Sequence, residues 1–565
     1  GSSITGQLLG AQTLQFSFGG DGGSAGRGDA VTVHNAGSIT TGYDFLHGEI
    51  SGDASHGIFA QSVGGGGGAG GLRLAAGVTA FGGLTFSMGG DGGAGNAGGR
   101  VLVDNTGGIA TWGAYSNGIC AQSIGGGGGS GGTAGSAMIN FSSLIPLPPQ
   151  MPVSLSANFA VAVGGEGGQG GLGGAVDVAN EGGIVTHGDH SFGIFAQSVG
   201  GGGGAGGDSI AATGNISLPD DPSGAGGANE QVEVSIDFAL ALGGAGGDGN
   251  NGGAVAVAND GSIDTSGVGA HGILAQSIGG GGGVGGDARS MTLSIDPSNS
   301  GLFPAEPPPS LNSIEKAVNI SIGGRAGGGN DGGRVHVLNR ADIVTRDADA
   351  YGIFVQSVGG GGGAGGSGYH GLDWAELGVP EDFVDLWEEL SPIEAESDYQ
   401  IVVGGSGGSS GDGARVEVIH EGDIATLGDG SFGILAQSVG AGGGTGGVGA
   451  AGEEGTVGIG GGGGAAGNGG AVDITVTGNI DTFGAAAYGI LAQSIGGGGG
   501  LAGNVDRGVE SFGSSLDFNL DFGRDGGSAG NGGSVTIEST GGITTRGSGA
   551  YGIFAQSVGD RKSVV

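Results

Sequence analysis

The segment Gly57-Ile58-Phe59-Ala60-Gln61-Ser62-Val63-Gly64 decides the fold, because close copies of it recur along the whole chain. The spacings between successive copies are 61, 75, 79, 80, 81, 56 and 63 residues, and the Gln-Ser pair is present in all of them. Self-similarity on this scale indicates a repeat architecture in which each repeat is one structural unit. The eight copies begin at Gly57, Gly118, Gly193, Gly272, Gly352, Gly433, Gly489 and Gly552.

Two further units precede each copy. One is typified by Val101-Leu102-Val103-Asp104-Asn105-Thr106-Gly107-Gly108-Ile109-Ala110-Thr111, which contains a Val-x-Val and an Ile-x-Thr element. The other is an alternating segment such as Phe159-Ala160-Val161-Ala162-Val163. Alternation with a period of two is typical of half-buried strands, and glycine corners can join such strands without a bulky Cβ. The repeat therefore predicts an all-β fold, a parallel β-helix or β-solenoid, with about four short strands per repeat. The Val-x-Val pair and the Ile should point inward, and each repeat forms either one wide coil or two narrower ones.

We expect residues 1–565 to form a single solenoid of eight imperfect glycine-rich repeats that end near residues 64, 125, 200, 279, 359, 440, 496 and 559. Three inserts vary freely between repeats, at about 133–157, 287–316 and 367–398. Within the last insert, residues 380–390 have the pattern of a short amphipathic helix. The inserts of repeat arrays often form the binding face. Covering a local apolar patch is the alternative role for this helix.

The Gln-Ser strand is apolar on both faces, so both faces should be covered. The adjacent glycine run, residues 65–68 in the first copy, could pack on the outer face, with polyglycine strands bundled side by side as a possible geometry; a mobile loop is the alternative. The nearly constant length of the run favours packing. An Asn or Asp recurs just before Val-x-Val, and between glycines it is expected to adopt positive φ in a turn. These residues are Asn96, Asn251, Asp331, Asp412, Asn468 and Asn531.

A polar side chain at one strand position of every repeat predicts a structural ladder along the solenoid axis. Row-like binding of a ligand is the alternative for the Gln side chains, and binding of ice or mineral is the alternative for the Thr side chains. The predicted Gln ladder contains Gln61, Gln122, Gln197, Gln276, Gln356, Gln437, Gln493 and Gln556. The predicted Thr ladder contains Thr41, Thr111, Thr186, Thr265, Thr345, Thr426, Thr482 and Thr545.

Composition narrows the classes of function. Glycine supplies 154 of 565 residues with only 13 Pro, which matches neither ordinary globular usage nor collagen. The chain has 15 basic and 54 acidic residues, a formal net charge of -39, so nucleic acid is an unsuitable partner and an anionic membrane would repel it. No apolar run reaches the length of a transmembrane helix, and residues 1–10 lack the pattern of a signal peptide.

No motif for catalysis or for a cofactor stands out, so we expect neither catalytic nor cofactor-binding residues. His187 and His190 lack the further ligands that a metal site needs. The position of Asp21 holds unlike residues in other repeats, so a regular calcium ladder is not expected, although the negative charge permits incidental Ca²⁺ binding. Cys120 occupies a position that is Phe or Leu in other repeats and is expected to be a small buried hydrophobic residue.

The segment Gly-Ile-x-Ala-Gln-Ser-Val/Ile followed by five glycines, preceded by Asn-x-Gly-x-Ile-x-Thr, resembles the glycine-rich passenger repeats of large autotransporter proteins. The resemblance covers nearly the whole chain. It implies a β-helical stalk at the surface of a Gram-negative bacterium, held by a C-terminal membrane anchor that lies outside this sequence.

The expected function is accordingly that of a structural or adhesive cell-surface protein and not that of an enzyme. Expected partners are other copies of the chain, joined into fibres through unpaired strand edges, or a host surface or matrix glycan. The chain should contact a membrane only through its missing anchor. The alternative is a carbohydrate-active β-helix enzyme, a polysaccharide lyase or hydrolase with clustered acids and aromatic residues in a groove.

Overall fold

The computed structural model describes residues 3–10, 12–44, 49–50, 52–141, 153–216, 232–295, 313–371, 399–450, 456–505 and 520–559. Over these ranges the chain forms five parallel sheets and one short antiparallel pair, Tyr43–Asp44 with Glu49–Ile50. This described part contains no helix that could cross a membrane. Each repeat contributes at most one strand to each parallel sheet, so one repeat makes one wide coil. The prediction of a parallel β-solenoid is confirmed.

Three sheets, numbered 3 to 5 in their order within a repeat, enclose one apolar core. Strands of neighbouring coils pair in register, so that Val101 faces Val176 and Ile109 faces Ile184. The Val-x-Val and Ile side chains point inward as predicted, and in the second coil Val101, Val103 and Ile109 are at most 2% exposed. The core therefore consists of columns of identical or similar side chains.

The strand bounds of these three sheets follow the repeat closely. Sheet 3 contains Val31–Asn35, Val101–Asn105, Val176–Asn180, Val255–Asn259, Val335–Asn339, Val416–His420, Val472–Val476 and Val535–Ser539. Sheet 4 contains Ile39–Thr41, Ile109–Trp112, Ile184–His187, Ile263–Ser266, Ile343–Thr345, Ile424–Thr426, Ile480–Thr482 and Ile543–Thr545. Sheet 5, which carries the Gln-Ser pair, contains Ile58–Val63, Ile119–Ile124, Ile194–Val199, Ile273–Ile278, Ile353–Val358, Ile434–Val439, Ile490–Ile495 and Ile553–Val558.

Sheets 1 and 2 pack face to face in a separate sandwich. Sheet 1 contains Ser3–Gly10, Arg73–Thr79, Ala134–Phe141, Ser209–Ile216, Ala288–Ile295 and Gly368–His370. Sheet 2 contains Thr13–Phe18, Gly82–Met88, Val153–Val163, Val232–Leu242, Ser313–Ile322, Tyr399–Val403, Thr456–Ile459 and Leu520–Phe522. The side chains between the two sheets are mostly small: Ala134, Ala160, Ala162 and Ala211 are fully buried around Met138.

The glycine runs join this sandwich to the three-sheet core. Run I follows the sheet 2 strand of each coil and comprises residues 19–28, 89–98, 164–173, 243–252, 323–332, 404–413, 460–469 and 523–532. Run II follows the sheet 5 strand and comprises residues 64–71, 125–132, 200–207, 279–286, 359–366, 440–447 and 496–503. The two runs hydrogen-bond directly to each other, as where Gly204 N–H donates to the Gly168 carbonyl at 2.8 Å. A second N–H in each triplet donates to the next coil, as from Gly203 to Gly281 at 2.9 Å.

This three-residue period, with negative or extended φ at every run residue, is that of polyproline II helices of glycine packed side by side. The runs are therefore packed, but their predicted location is wrong. They continue beyond the end of the sheet 5 strand and pack on each other, and do not lie over its outer face, because glycine backbones can hydrogen-bond directly to one another. Asn96 and its counterparts also have no positive φ, so the predicted turn conformation is wrong there too.

Strands occupy the ends of the three predicted inserts. Ala134–Phe141 lies within residues 133–157 and Val153–Val163 begins there, Ala288–Ile295 lies within residues 287–316, and Gly368–His370 lies within residues 367–398. The centres of the inserts, including the helix predicted at residues 380–390, lie outside the described residues.

Candidate functional site: side-chain ladders and a glycine sandwich

The Gln side chains of sheet 5 form one continuous row on the outer face. Each Nε2 donates to the Oε1 of the Gln in the next coil, from Gln61 to Gln556, at distances between 2.6 and 3.1 Å. The Gln side chains of the inner coils are half-buried, and those of the first and last coils are exposed. The amides thus use one donor and one acceptor each to hold adjacent coils in register.

The Ser of the Gln-Ser pair connects sheet 5 to the residue that directly follows run I. Ser198 Oγ donates to the Gly174 carbonyl of its own coil at 2.8 Å and accepts from the Gly253 N–H of the next coil at 2.8 Å. The same two bonds, to the Gly or Ala that follows run I, recur at Ser123, Ser277, Ser357, Ser438 and Ser494. Both members of the Gln-Ser pair therefore have a structural partner, Gln on the outside and Ser on the inside of the strand.

A buried Asn ladder at the end of sheet 3 was missed by the sequence reasoning. Asn35, Asn105, Asn180, Asn259 and Asn339 pass hydrogen bonds of 2.6 to 2.7 Å from amide to amide, and Asn339 ends the row on His420 Nδ1 at 2.9 Å. Each Nδ2 also donates to the carbonyl two residues on, as in Asn180 to Gly182 at 2.8 Å. The signal was present as the recurring Asn after Val-x-Val, two residues before Gly.

The Thr side chains stack in register in sheet 4 but do not bond to one another. The hydroxyl of Thr186 donates to the carbonyl of Ser191 at 2.7 Å, and five other coils repeat this bond five residues along the chain. In the first coil Thr41 bonds to Ser55. Thr111, Thr186 and Thr265 are completely buried, so this row offers no surface to ice or mineral.

Acidic and amide side chains bind backbone N–H groups of the next coil. In run I the third residue of each triplet points outward, and at several of these positions an Asp or Asn side chain accepts the N–H at the same position one coil further. Asp21 accepts from Asp91, and Asp91 accepts from Glu166, at 3.1 and 2.8 Å. Asp331 likewise accepts from Asp412 at 2.8 Å. Corners use the same bond, as from Val268 to Asp189 at 2.9 Å.

A column of aromatic rings lies at the corner before sheet 5. Phe192, His271, Tyr351, Phe432 and Tyr488 stack with centroid separations of 4.6 to 5.1 Å and nearly parallel planes. Burial lowers the pKa of His271 to about 4, with a smaller effect of His190. Burial also lowers the pKa of His420 to about 4.

The remaining candidates of the sequence have separate positions. Cys120 is buried as predicted, and burial raises the pKa of its thiol to about 12. The His187 ring packs tilted against Trp112 with centroids 5.2 Å apart, whereas His190 stacks on Tyr115 at 5.3 Å. Among the residues that the structure describes, no group of three or more His, Cys, Asp or Glu side chains is placed to hold a metal ion.

Compared with known proteins, the chain matches no family model, no curated protein and no solved structure.

Proposed function

We propose that this chain is a structural segment of an extracellular surface protein, a passenger-like solenoid that acts as a stalk or an adhesive scaffold. The observation that carries the proposal is the continuous bonding between coils. Each described interior coil is joined to the next through parallel sheets, both glycine runs, the Gln row and the carboxylate–N–H bonds. A solenoid linked in this way at every layer resists bending and separation of its coils.

The surface location rests on the resemblance of the Gln-Ser segments to autotransporter passenger repeats. Attachment to a host surface or to a matrix glycan, and outer-membrane anchoring of a longer protein, belong to the same proposal. Its chemistry is that of a non-catalytic protein without a resident cofactor.

Antibodies against the chain test this location on intact cells of the organism that produces it. We expect labelling without permeabilisation and loss of the label when protease is added outside the cells. Labelling that appears only after permeabilisation would overturn the proposal.

A further inference from the structure

The outward side of sheet 2 carries three columns of large apolar side chains, which we call the apolar face. In the third coil the columns hold Phe159, Val161 and Val163, and in the fourth coil Phe238, Leu240 and Leu242. Wherever the structure describes these positions in the other strands of the sheet, they hold aromatic or aliphatic residues. Several are well exposed within the solenoid, including Phe159 at 39% and Ile401 at 37%.

The thinness of the solenoid explains why these side chains point outward. Runs I and II bond backbone to backbone, so sheets 1 and 2 begin close together where they leave the runs. Little space remains between them next to the runs, and small side chains, mostly alanine and serine, hold many of the inner positions of sheet 2 there. Large side chains must therefore lie on the outer face.

Thinness does not explain why the outer residues are apolar. The outer side of sheet 3 has the same exposure to solvent and carries charged residues, such as Asp177, which pairs with Arg100 at 2.9 Å. An exposed strand of this fold thus tolerates polar side chains. A soluble monomer rarely exposes an apolar area larger than a few hundred Å², so an apolar face of this extent indicates a partner.

The dimensions of the face match a modest protein interface. Eight strands about 4.8 Å apart, six of them at least five residues long, give a flat area of at most about 34 by about 15 Å, or about 500 Å² for each copy before side-chain relief. Two such faces bury on the order of 1,000 Å², which is in the range of weak specific association.

We propose that two copies of this chain associate through their apolar faces. The area matches what a second copy would bury, and charge selects the surface: copies that each carry -39 repel one another least where no charge lies, and the described residues of the three columns include no Asp, Glu, Lys, Arg or His. Like charges on the other surfaces oppose association there, whereas contact through the apolar face buries no charged group. A flat sheet face also fits another flat face at the usual sheet separation of about 10 Å, and a two-fold axis lets each column meet its counterpart.

Matched pairs of substitutions test the dimer. Val161 and Leu240 are neighbours across the third and fourth coils on the apolar face, and Ala179 and Ala258 are neighbours across the same coils on the outer side of sheet 3. The V161E/L240E and A179E/A258E variants change the net charge equally. Sedimentation equilibrium of the full chain at high ionic strength, which screens repulsion, should show a wild-type dimer forming between about 1 and about 100 µM. The A179E/A258E variant should match it, and V161E/L240E should raise the dissociation constant roughly 30-fold or more.

A cysteine cross-link covers the case in which the charged variant fails to fold. Leu240→Cys, on the fourth of the eight strands and so next to the middle of the face, should give a disulfide-linked dimer under mild oxidation, and Ala179→Cys should remain monomeric. A monomeric wild type across that concentration range, equal effects of both charged pairs, or cross-linking at Ala179 alone would each overturn the proposal. Binding of a monomer to neutral lipid vesicles through the same face would also overturn it. Surface labelling of cells is a separate readout, so the failure of this inference and that of the proposed function can be distinguished.

Discussion

A glycine in runs I and II is required by space and not by backbone conformation. No run residue has a positive φ. A Cβ at Gly204 would lie 2.0 Å from the carbonyl oxygen of Gly129, far inside any normal contact. At the outward position of each triplet the space is open, and Ala205, Val284 and Leu501 occupy that position in different coils. Packing therefore explains why glycine fills most of the inward positions, with Ala326, Ala441 and Ala502 among the exceptions.

This spacing makes opposite predictions for residues two positions apart. Gly204→Ala should destabilise the protein by about 3 kcal/mol, because backbone atoms of two runs must move to admit the methyl group. Gly202→Ala should change stability by less than about 1 kcal/mol and can be stabilising, since its Cβ would be 3.5 Å from the nearest atom, the Gly281 carbonyl oxygen. Denaturant unfolding followed by circular dichroism compares the two variants. Similar losses at both sites would contradict the packing argument.

At the scale of elements, the Asn and Gln ladders have the same bonding pattern but different surroundings. Asn180 is 1% exposed, whereas the Gln197 side chain is half-buried at the surface. An unpaired polar group costs much more in the interior than at a surface that water can reach. The buried row should therefore contribute more to the cohesion of the coils.

The prediction for the ladders is a difference between two truncations. Asn180→Ala removes the acceptor of Asn105 and the donor to Asn259, so it should lower the free energy of unfolding by about 2–4 kcal/mol. Gln197→Ala should lower it by less than about 1 kcal/mol, because water replaces the lost bonds. Urea unfolding measures both changes, and a larger loss at Gln197 would show that the surface row dominates.

The sequence predicted those elements whose side chains carry the pattern. Val-x-Val, Ile-x-Thr and Gln-Ser define sheets 3 to 5, because their inward residues are large and recur in register. The partner of each glycine run could not be predicted, since glycine has no side chain to show which backbone it faces. The Gly-Gly-x triplets of residues 164–172 did carry the three-residue period of the sandwich. Sheet 2 reverses the usual rule: its alternation predicted a half-buried strand, but alanine is inside and phenylalanine outside because the sandwich is thin.

At the scale of the whole molecule, the acidic excess has a structural role. Coils of a parallel solenoid leave backbone N–H groups unpaired at corners and along the outward positions of run I. The carboxylates of Asp21, Asp189 and Asp331 accept such N–H groups from the next coil, which lysine or arginine could not do. The negative charge is therefore a consequence of the carboxylates that bind neighbouring coils together. It also limits association with other copies of the chain to surfaces that carry no charge.

Acid should weaken the molecule through two histidines that must stay neutral. His271 Nδ1 accepts the Tyr351 N–H at 3.0 Å, and His420 Nδ1 accepts from Asn339 at 2.9 Å, so protonation would place a proton where each bond needs a lone pair. Burial is the main cause that lowers both pKa values to about 4, although Asp423 and Asp342 partly oppose the shift at His420. An unfolded histidine has a pKa near 6.5 and takes up a proton first. Stability is therefore complete above about pH 6.5 and falls as the pH decreases towards 4, by up to about 3 kcal/mol for each histidine.

The H271F/H420N variant isolates this effect. A phenyl ring at position 271 would continue the ring column between Phe192 and Tyr351, and an amide at position 420 would continue the Asn ladder. Denaturant unfolding at several pH values between about 7 and about 4.5 should show a free energy of unfolding that falls more steeply for the wild type than for the variant. Burial raises the pKa of the Asp237 carboxyl, so the contribution of this group to stability increases as the pH falls. The group is common to both proteins, and its contribution cancels in the difference between them. Parallel curves would show that neither histidine is held neutral by the fold.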